Sequence, residues 1–203
     1  MQPDSASNIL ACDLDGTLID VNSFPHFVRF AEMQLRRQRR WVPWLKIICA
    51  AANRLILRGE HSGFKAAVCS VGDQLDDGAI EAWVASLLDE HLNHQVCQLV
   101  QTWNGVAVLT TAAPEVYASK IADKIGFDCT HASRIVAGVL DNNESHRKCE
   151  RIAELSGVVE LAVTDDPETD GPLLALASKG CIVVNGELVP YDLTGGNAAH
   201  TTT

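Results

Sequence analysis

Three short apolar runs in the second half of the chain, separated by stretches of helical spacing, constrain its fold more than any other feature. Val106 to Thr110 (VAVLT) is the first, Val158 to Val163 the second and Cys181 to Val184 (CIVV) the third. Uninterrupted runs of this kind suit strands that are buried on both faces, as in a parallel sheet. Helix punctuation lies between them. Pro114 suits the first turn of a helix that carries Val116, Ile121 and Ile125 and stops at Gly126. Ser145 can cap a helix through Cys149, Ile152 and Leu155 that ends at Gly157. Gly171 to Lys179 reads as a third helix, closed by Gly180. Helices that end in glycine and lead into strands are the pattern of right-handed β-α-β units, so the expected class is α/β. Asn8 to Cys12 adds a further buried strand, which delivers Asp13 at its C-terminal end.

The stretch between Asn22 and Gly105 has a different character. It contains no strand-like run, and its apolar residues recur at helical spacing: Phe27, Phe30 and Ala31, then Leu45, Ile48, Cys49 and Ala52, then Ile80, Trp83, Val84, Leu87 and Leu88. We read it as an all-helical insert of four or five helices, placed after the first strand. The expected organisation is an α/β core over 1–21 and 105–193, a helical cap over 22–104 and a disordered tail over 194–203 (TGGNAAHTTT from Thr194). With 203 residues, 47% of them hydrophobic, the chain can bury a core of this size.

Charge and cysteine spacing exclude some classes of function. A net charge of −10 argues against nucleic acid as a partner. Yet the segment from Phe24 to Arg58 carries +7, which leaves −17 on the remainder. Its basic stripe LRRQRRWVPWLK (35–46) places arginines beside Trp41 and Trp44. Three readings of the stripe stay open: a solvated helix face with both tryptophans packed inside the cap, peripheral contact with a membrane surface, or recruitment of an anionic substrate. The stretch Trp41–Leu57 contains Lys46 and Arg54, short of the roughly 20 mostly uncharged residues that a membrane span needs. Met1 to Asn8 is polar and does not read as a secretory signal. Seven singly spaced cysteines read as reduced thiols, so the expected location is the cytoplasm. The seven histidines show no metal-ligand spacing.

Open α/β sheets bind ligands outside the carboxyl ends of their strands, so the residues at those ends matter. Asp13 and Asp15 follow the first strand, Thr110 and Thr111 end the second, and Asp165 and Asp166 follow the strand after Gly157, with Asp170 four residues on. Lys148 lies on the helix leading into that strand. Carboxylates this close repel one another, and a divalent cation is the natural neutraliser. Magnesium takes oxygen ligands, one or two of them carboxylates, together with water and substrate phosphate. A carboxylate beside such an ion can attack phosphorus and form an aspartyl-phosphate. The metal and Lys148 would offset charge on the transferring oxygens.

The motifs DLDGT at 13–17, TTAAPE at 110–115, Lys148 and DDPETD at 165–170 resemble, in order and spacing, the four motifs of the haloacid dehalogenase superfamily. The resemblance runs from about Asn8 to about Tyr191 and implies a Rossmann-like core. It also implies that Asp13 is the nucleophile and that Asp15 first protonates the leaving group and then activates water. Thr111 would hydrogen-bond the phosphoryl group, and Lys148 would steady Asp13 and the phosphate. Magnesium would be held by the Asp13 carboxylate, the Asp15 backbone carbonyl and the fourth-motif acids. The family's Gly-Asp-x-x-x-Asp pattern maps onto Asp166 as ligand and Asp170 as its partner. Asp165 stands in the glycine's place and is a rival ligand, as Thr110 is a rival to Thr111. Asp170 could instead cap the helix that follows it. Asn22-Ser23-Phe24 and the position of the insert are similar to the phosphoserine-phosphatase-like branch, which carries a helical cap there.

Dehalogenases and phosphonatases of the superfamily usually lack the second Asp of the first motif, because they need no acid for an alkoxide leaving group. Asp15 therefore points to a magnesium-dependent phosphatase acting on a small phosphorylated metabolite, and a lipid phosphate also suits this chemistry. A phosphotransferase or mutase would use the same intermediate. A non-catalytic binding module that keeps the fold is the alternative from another class.

Overall fold

A computed structural model of the protein describes residues 7–56 and 61–192. Strand β1 (Ser7–Cys12) lies at the centre of a seven-stranded sheet. Its side chains alternate, Leu10 and Cys12 entering one core cluster and Ile9 and Ala11 the other. Both faces are therefore buried from Ile9 to Cys12, which explains why that run is apolar throughout. In parallel with β1 pair β2 (Val106–Pro114) on one side and β5 (Gly157–Thr164) on the other. Outside them follow β3 (Cys129–Val136) and β6 (Lys179–Val184), again parallel. Two short antiparallel strands, β4 (Val139–Asp141) and β7 (Glu187–Tyr191), close the edges in the order β4-β3-β2-β1-β5-β6-β7.

Among the described residues, the stretch read as an all-helical insert contains five helices: α1 (Ser23–Arg37), α2 (Trp41–Ile56), α3 (His61–Gly72), α4 (Asp77–His91) and α5 (His94–Thr102). Three of them start on side-chain caps, since Asn22, Asp76 and Asn93 accept backbone N–H groups of the first turns of α1, α4 and α5. Phe27 of α1 and Trp83 of α4 pack on Tyr117 of α6 (Glu115–Ile125), with ring centroids 4.7 and 5.3 Å away. This aromatic cluster is one of the contacts that seat the insert on the core.

Several helix ends differ from the sequence reading. Among Gly126, Gly157 and Gly180, only Gly126 closes a helix, with φ at 100°. Helix α7 (His146–Ala153) stops short of Gly157, which opens β5 opposite Ser7. Helix α8 (Gly171–Leu176) ends before Gly180, which pairs with Ala162 inside β6. In both cases backbone pairing in the sheet takes the glycine that a helix terminus would otherwise use. Ser145 precedes α7 but makes no capping bond, and Pro114 ends β2 instead of entering α6. The buried face of α6 is Tyr117, Ala118, Ile121, Ala122 and Ile125, without Val116.

Helix α2 also departs from its reading. Its stripe of Leu45, Ile48 and Cys49 faces outward, while Ile47 is buried and Trp44 packs against the core. Trp41 is 53% exposed, so of the two tryptophans Trp44 alone packs inward. The tail from Thr194 lies outside the described residues. No helix among the described residues is long and apolar enough to cross a membrane.

Candidate active site

The side chains singled out for chemistry meet at the C-terminal ends of the parallel strands. Asp13, Asp15, Thr111, Lys148, Asp166 and Asp170 line one cavity of about 190 Å³, together with Asp165. Asp13 directly follows β1, and its N–H donates to the Val163 carbonyl at 2.9 Å, which fixes it beside the end of β5. The chain then turns at Gly16, where φ is 70° and a Cβ would lie 2.0 Å from Asp165 Oδ2. Only glycine permits both that backbone and that close approach.

Lys148, in the first turn of α7, is 3% exposed. Its Nζ donates to Asp13 Oδ1 at 2.9 Å and to both Asp170 oxygens at 2.8 Å. The Thr164 hydroxyl donates to Asp170 Oδ2 at 2.8 Å. Asp170 stands at the start of α8, yet its carboxylate does not cap that helix; it serves the ammonium. Arg147 points elsewhere, with its Nε 3.0 Å from Asp141 Oδ1. Asp15 Oδ1 accepts the Ser23 N–H at 2.8 Å, and the Ser23 hydroxyl pairs with Tyr117 Oη at 2.8 Å. The two threonines divide: Thr110 Oγ1 accepts from Asn143 Nδ2 in the interior, and Thr111 lines the cavity.

Burial pushes the Asp13 carboxyl up to about 7; Lys148 pulls it down, while Asp170 and Asp15 push it up. Asp15 and Asp165 are also raised, in each case mainly by burial. Asp166 is the exception. The Thr169 hydroxyl at 2.7 Å and the N–H groups of Thr169 and Glu168 at 3.1 Å hold it below the ordinary carboxylate value. Burial disfavours the Lys148 charge, but Asp13 and Asp170 outweigh it and keep the ammonium charged.

One lysine thus faces six carboxyl groups on the cavity wall, Glu144 among them, and three of those are lifted toward neutrality. A divalent cation would restore their ionised form. Among the described residues no three His, Cys, Asp or Glu side chains form a metal cluster by themselves. Magnesium does not require one, because it takes one or two carboxylates and keeps several waters. The all-oxygen donor set of this rim therefore fits that ion.

Other residues at the site have no counterpart in the sequence reading. Asn143 Nδ2 donates to Thr110 Oγ1 at 3.2 Å, to the Thr111 carbonyl at 3.1 Å and to the His131 carbonyl at 2.9 Å. Ser133 Oγ donates to the Ala112 carbonyl at 2.8 Å. Together they pin the end of β2, which carries Thr111. Lys65 of α3, 5% exposed, donates to Asn142 Oδ1 at 2.5 Å and lines an adjoining cavity of about 230 Å³ with Asp15, Phe24 and Arg54. The one hint in the sequence is the polar run Asp141–Glu144 ahead of Lys148.

A family model described as haloacid dehalogenase-like hydrolase matches residues 10–169. Among solved structures, a protein of unknown function from Bordetella pertussis Tohama I is similar, with 16% identity and a TM-score of 0.62. The match covers 87% of this chain and 89% of that one. A phosphoserine phosphohydrolase-like protein from Francisella tularensis subsp. tularensis SCHU S4 shares 17% identity at a TM-score of 0.52. Here the coverage is 86% of this chain and 85% of that one. At these identities the likeness is one of fold. No curated protein matches the chain.

Proposed function

The chain belongs to the haloacid dehalogenase-like hydrolases, and from that premise we propose that it is a magnesium-dependent phosphatase of small phosphomonoesters, working through an aspartyl-phosphate on Asp13. The observation that carries this reading is the buried Asp13–Lys148–Asp170 chain, with Asp15 on the wall of the same cavity. Lys148 holds Asp13 Oδ1, so we assign Oδ2 to attack phosphorus. As the ester P–O bond breaks, the leaving oxygen takes its proton from Asp15, whose raised pKa suits a general acid. In the second step Asp15 removes a proton from water, water oxygen bonds to phosphorus, and the bond from phosphorus to Asp13 breaks. Thr111 and Lys148 orient the phosphoryl oxygens. When bound, magnesium supplies positive charge to those oxygens. We assign its ligands to the Asp13 carboxylate, the Asp15 carbonyl and Asp166. Asp170, expected in the same ligand set, has both oxygens on Lys148, and we give it the role of fixing that ammonium.

The adjoining cavity supports a narrower substrate class. Lys65 and Arg54 line it beside Asp15, the assigned proton donor, and we take this as the leaving-group side. A leaving group with an anion of its own would fit them. Seven singly spaced cysteines support a cytoplasmic setting.

The test is hydrolysis of p-nitrophenyl phosphate with magnesium present and then chelated. Turnover should vanish with EDTA and return when magnesium is restored; activity indifferent to EDTA removes the metal from the mechanism. Asp13→Asn should abolish turnover without unfolding the protein. Retention of even about a tenth of wild-type kcat overturns the covalent route.

A further inference from the structure

The outward face of α2 is apolar and has arginines at one end. At 3.6 residues per turn, Ile48, Trp41, Leu45, Cys49 and Val42 fall within an arc of about 120°. All five are exposed, Val42 to 81% and Trp41 to 53%. Exposed large hydrophobic residues elsewhere among the described residues are scattered over β3, β4, β5, β6 and α8. Here Met33, Trp41, Val42, Leu45 and Ile48 gather on two successive helices. Beside them, Arg29, Arg36 and Arg37 line a groove of about 450 Å³ with Glu32, Met33 and Trp41. Trp41 therefore borders both the basic groove and the apolar face.

We propose that this face docks on an anionic lipid surface, with α2 lying in the plane of the interface, Trp41, Leu45 and Ile48 entering it, and Arg36 and Arg37 on the lipid phosphates. Two observations favour lipid over protein. The groove and the stripe belong to a segment of charge +7 in a chain otherwise at −17, so the attraction to an anionic leaflet is local and oriented. A second copy of this chain would be a poor occupant, because a two-fold contact on this face would bring two segments of charge +7 together. An amphipathic helix with Trp and Leu on one side and arginines at its border has the composition of an interfacial helix. Along α1, Arg37 lies roughly 20 Å from Ser23, the residue bonded to Asp15, so the arginine end of the docked face is remote from the reaction cavity, and α2 meets the adjoining cavity at Arg54, near its other end.

The test is co-sedimentation of the full chain with vesicles of phosphatidylcholine, alone or mixed with phosphatidylglycerol. Binding should require phosphatidylglycerol and weaken as salt rises. Leu45→Asp should reduce it at least tenfold with the thermal midpoint unchanged, since the side chain is 49% exposed. Arg36→Glu with Arg37→Glu should reduce it by more than tenfold, each arginine near such a surface contributing roughly fivefold. The proposal is overturned if wild type stays in the supernatant with both vesicle types. It also fails if Leu45→Asp binds as well as wild type, or if Leu45→Asp dissolves a homodimer and wild type binds no vesicle.

Discussion

Asp13 is held where its own ionisation is opposed, and this has a consequence that needs no substrate to observe. Burial raises it to about 7, well above the ordinary 3.8, and Asp15 is raised in the same direction. A carboxyl whose folded value exceeds its unfolded value favours the protonated native state. Its contribution to stability is complete below the unfolded value and is lost as pH rises through the folded one. The metal-free protein should therefore melt at progressively lower temperature from about pH 5 to pH 8. Asp13→Asn should flatten that slope, and magnesium should do the same in wild type by favouring the ionised form. Half-buried His131 is lowered, again mainly by burial, and pulls the opposite way; it is common to both proteins, so the comparison isolates Asp13. Equal slopes in wild type and Asp13→Asn, read by thermal scans in EDTA, would show that the carboxyl is not strained as described. The acids at this scale are legible in the sequence because they are fixed by position: each follows an apolar run whose end is a strand end. Asn143 and Ser133 are not, because their partners lie 9 to 33 residues away and meet only once the sheet has formed.

At the scale of elements, the proposed mechanism asks the loop between β5 and α8 to present one acid to the metal and dispose of another. Asp166 is anchored by the Thr169 hydroxyl and two backbone N–H groups, which keep it ionised and oriented. Asp165 accepts the Thr17 hydroxyl at 3.3 Å and lies against Gly16. Asp166→Asn should therefore raise the magnesium concentration for half-maximal activity more than Asp165→Asn does. A metal titration giving the reverse order moves the ligand to Asp165. The strands that build this rim were readable from continuous apolar runs, whereas β3 (CTHASRIV) and the three-residue β4 mix polar with apolar residues and give no such signal. Helix ends were less readable than strands, since Gly157 and Gly180 satisfy sheet pairing, a long-range demand that local punctuation does not encode.

Over the whole molecule, the helical insert and the sheet each supply part of the site, and the link between them is specific. Lys65 comes from α3, is buried, and crosses to Asn142 just after β4. Burial lowers its pKa, with Glu144, Cys69 and Asp15 partly restoring the charged form. No apolar period or charge run marks this lysine, because its meaning depends on the insert packing over the rim. An ammonium kept this dry gains most from an anionic ligand that shares its cavity, and a hydrogen bond to a charged group contributes about 1.5–3 kcal/mol. Lys65→Met preserves the side chain's apolar bulk and removes the charge. It should raise KM by roughly tenfold or more for a phosphomonoester whose leaving group carries a carboxylate or second phosphate. It should leave KM for p-nitrophenyl phosphate nearly unchanged, since that leaving group offers the lysine no anion. If both substrates lose affinity equally, Lys65 holds the insert on the core and does not select the substrate. If neither does, the anion lies elsewhere, and the cavity beside Asp15 binds the leaving group by shape alone.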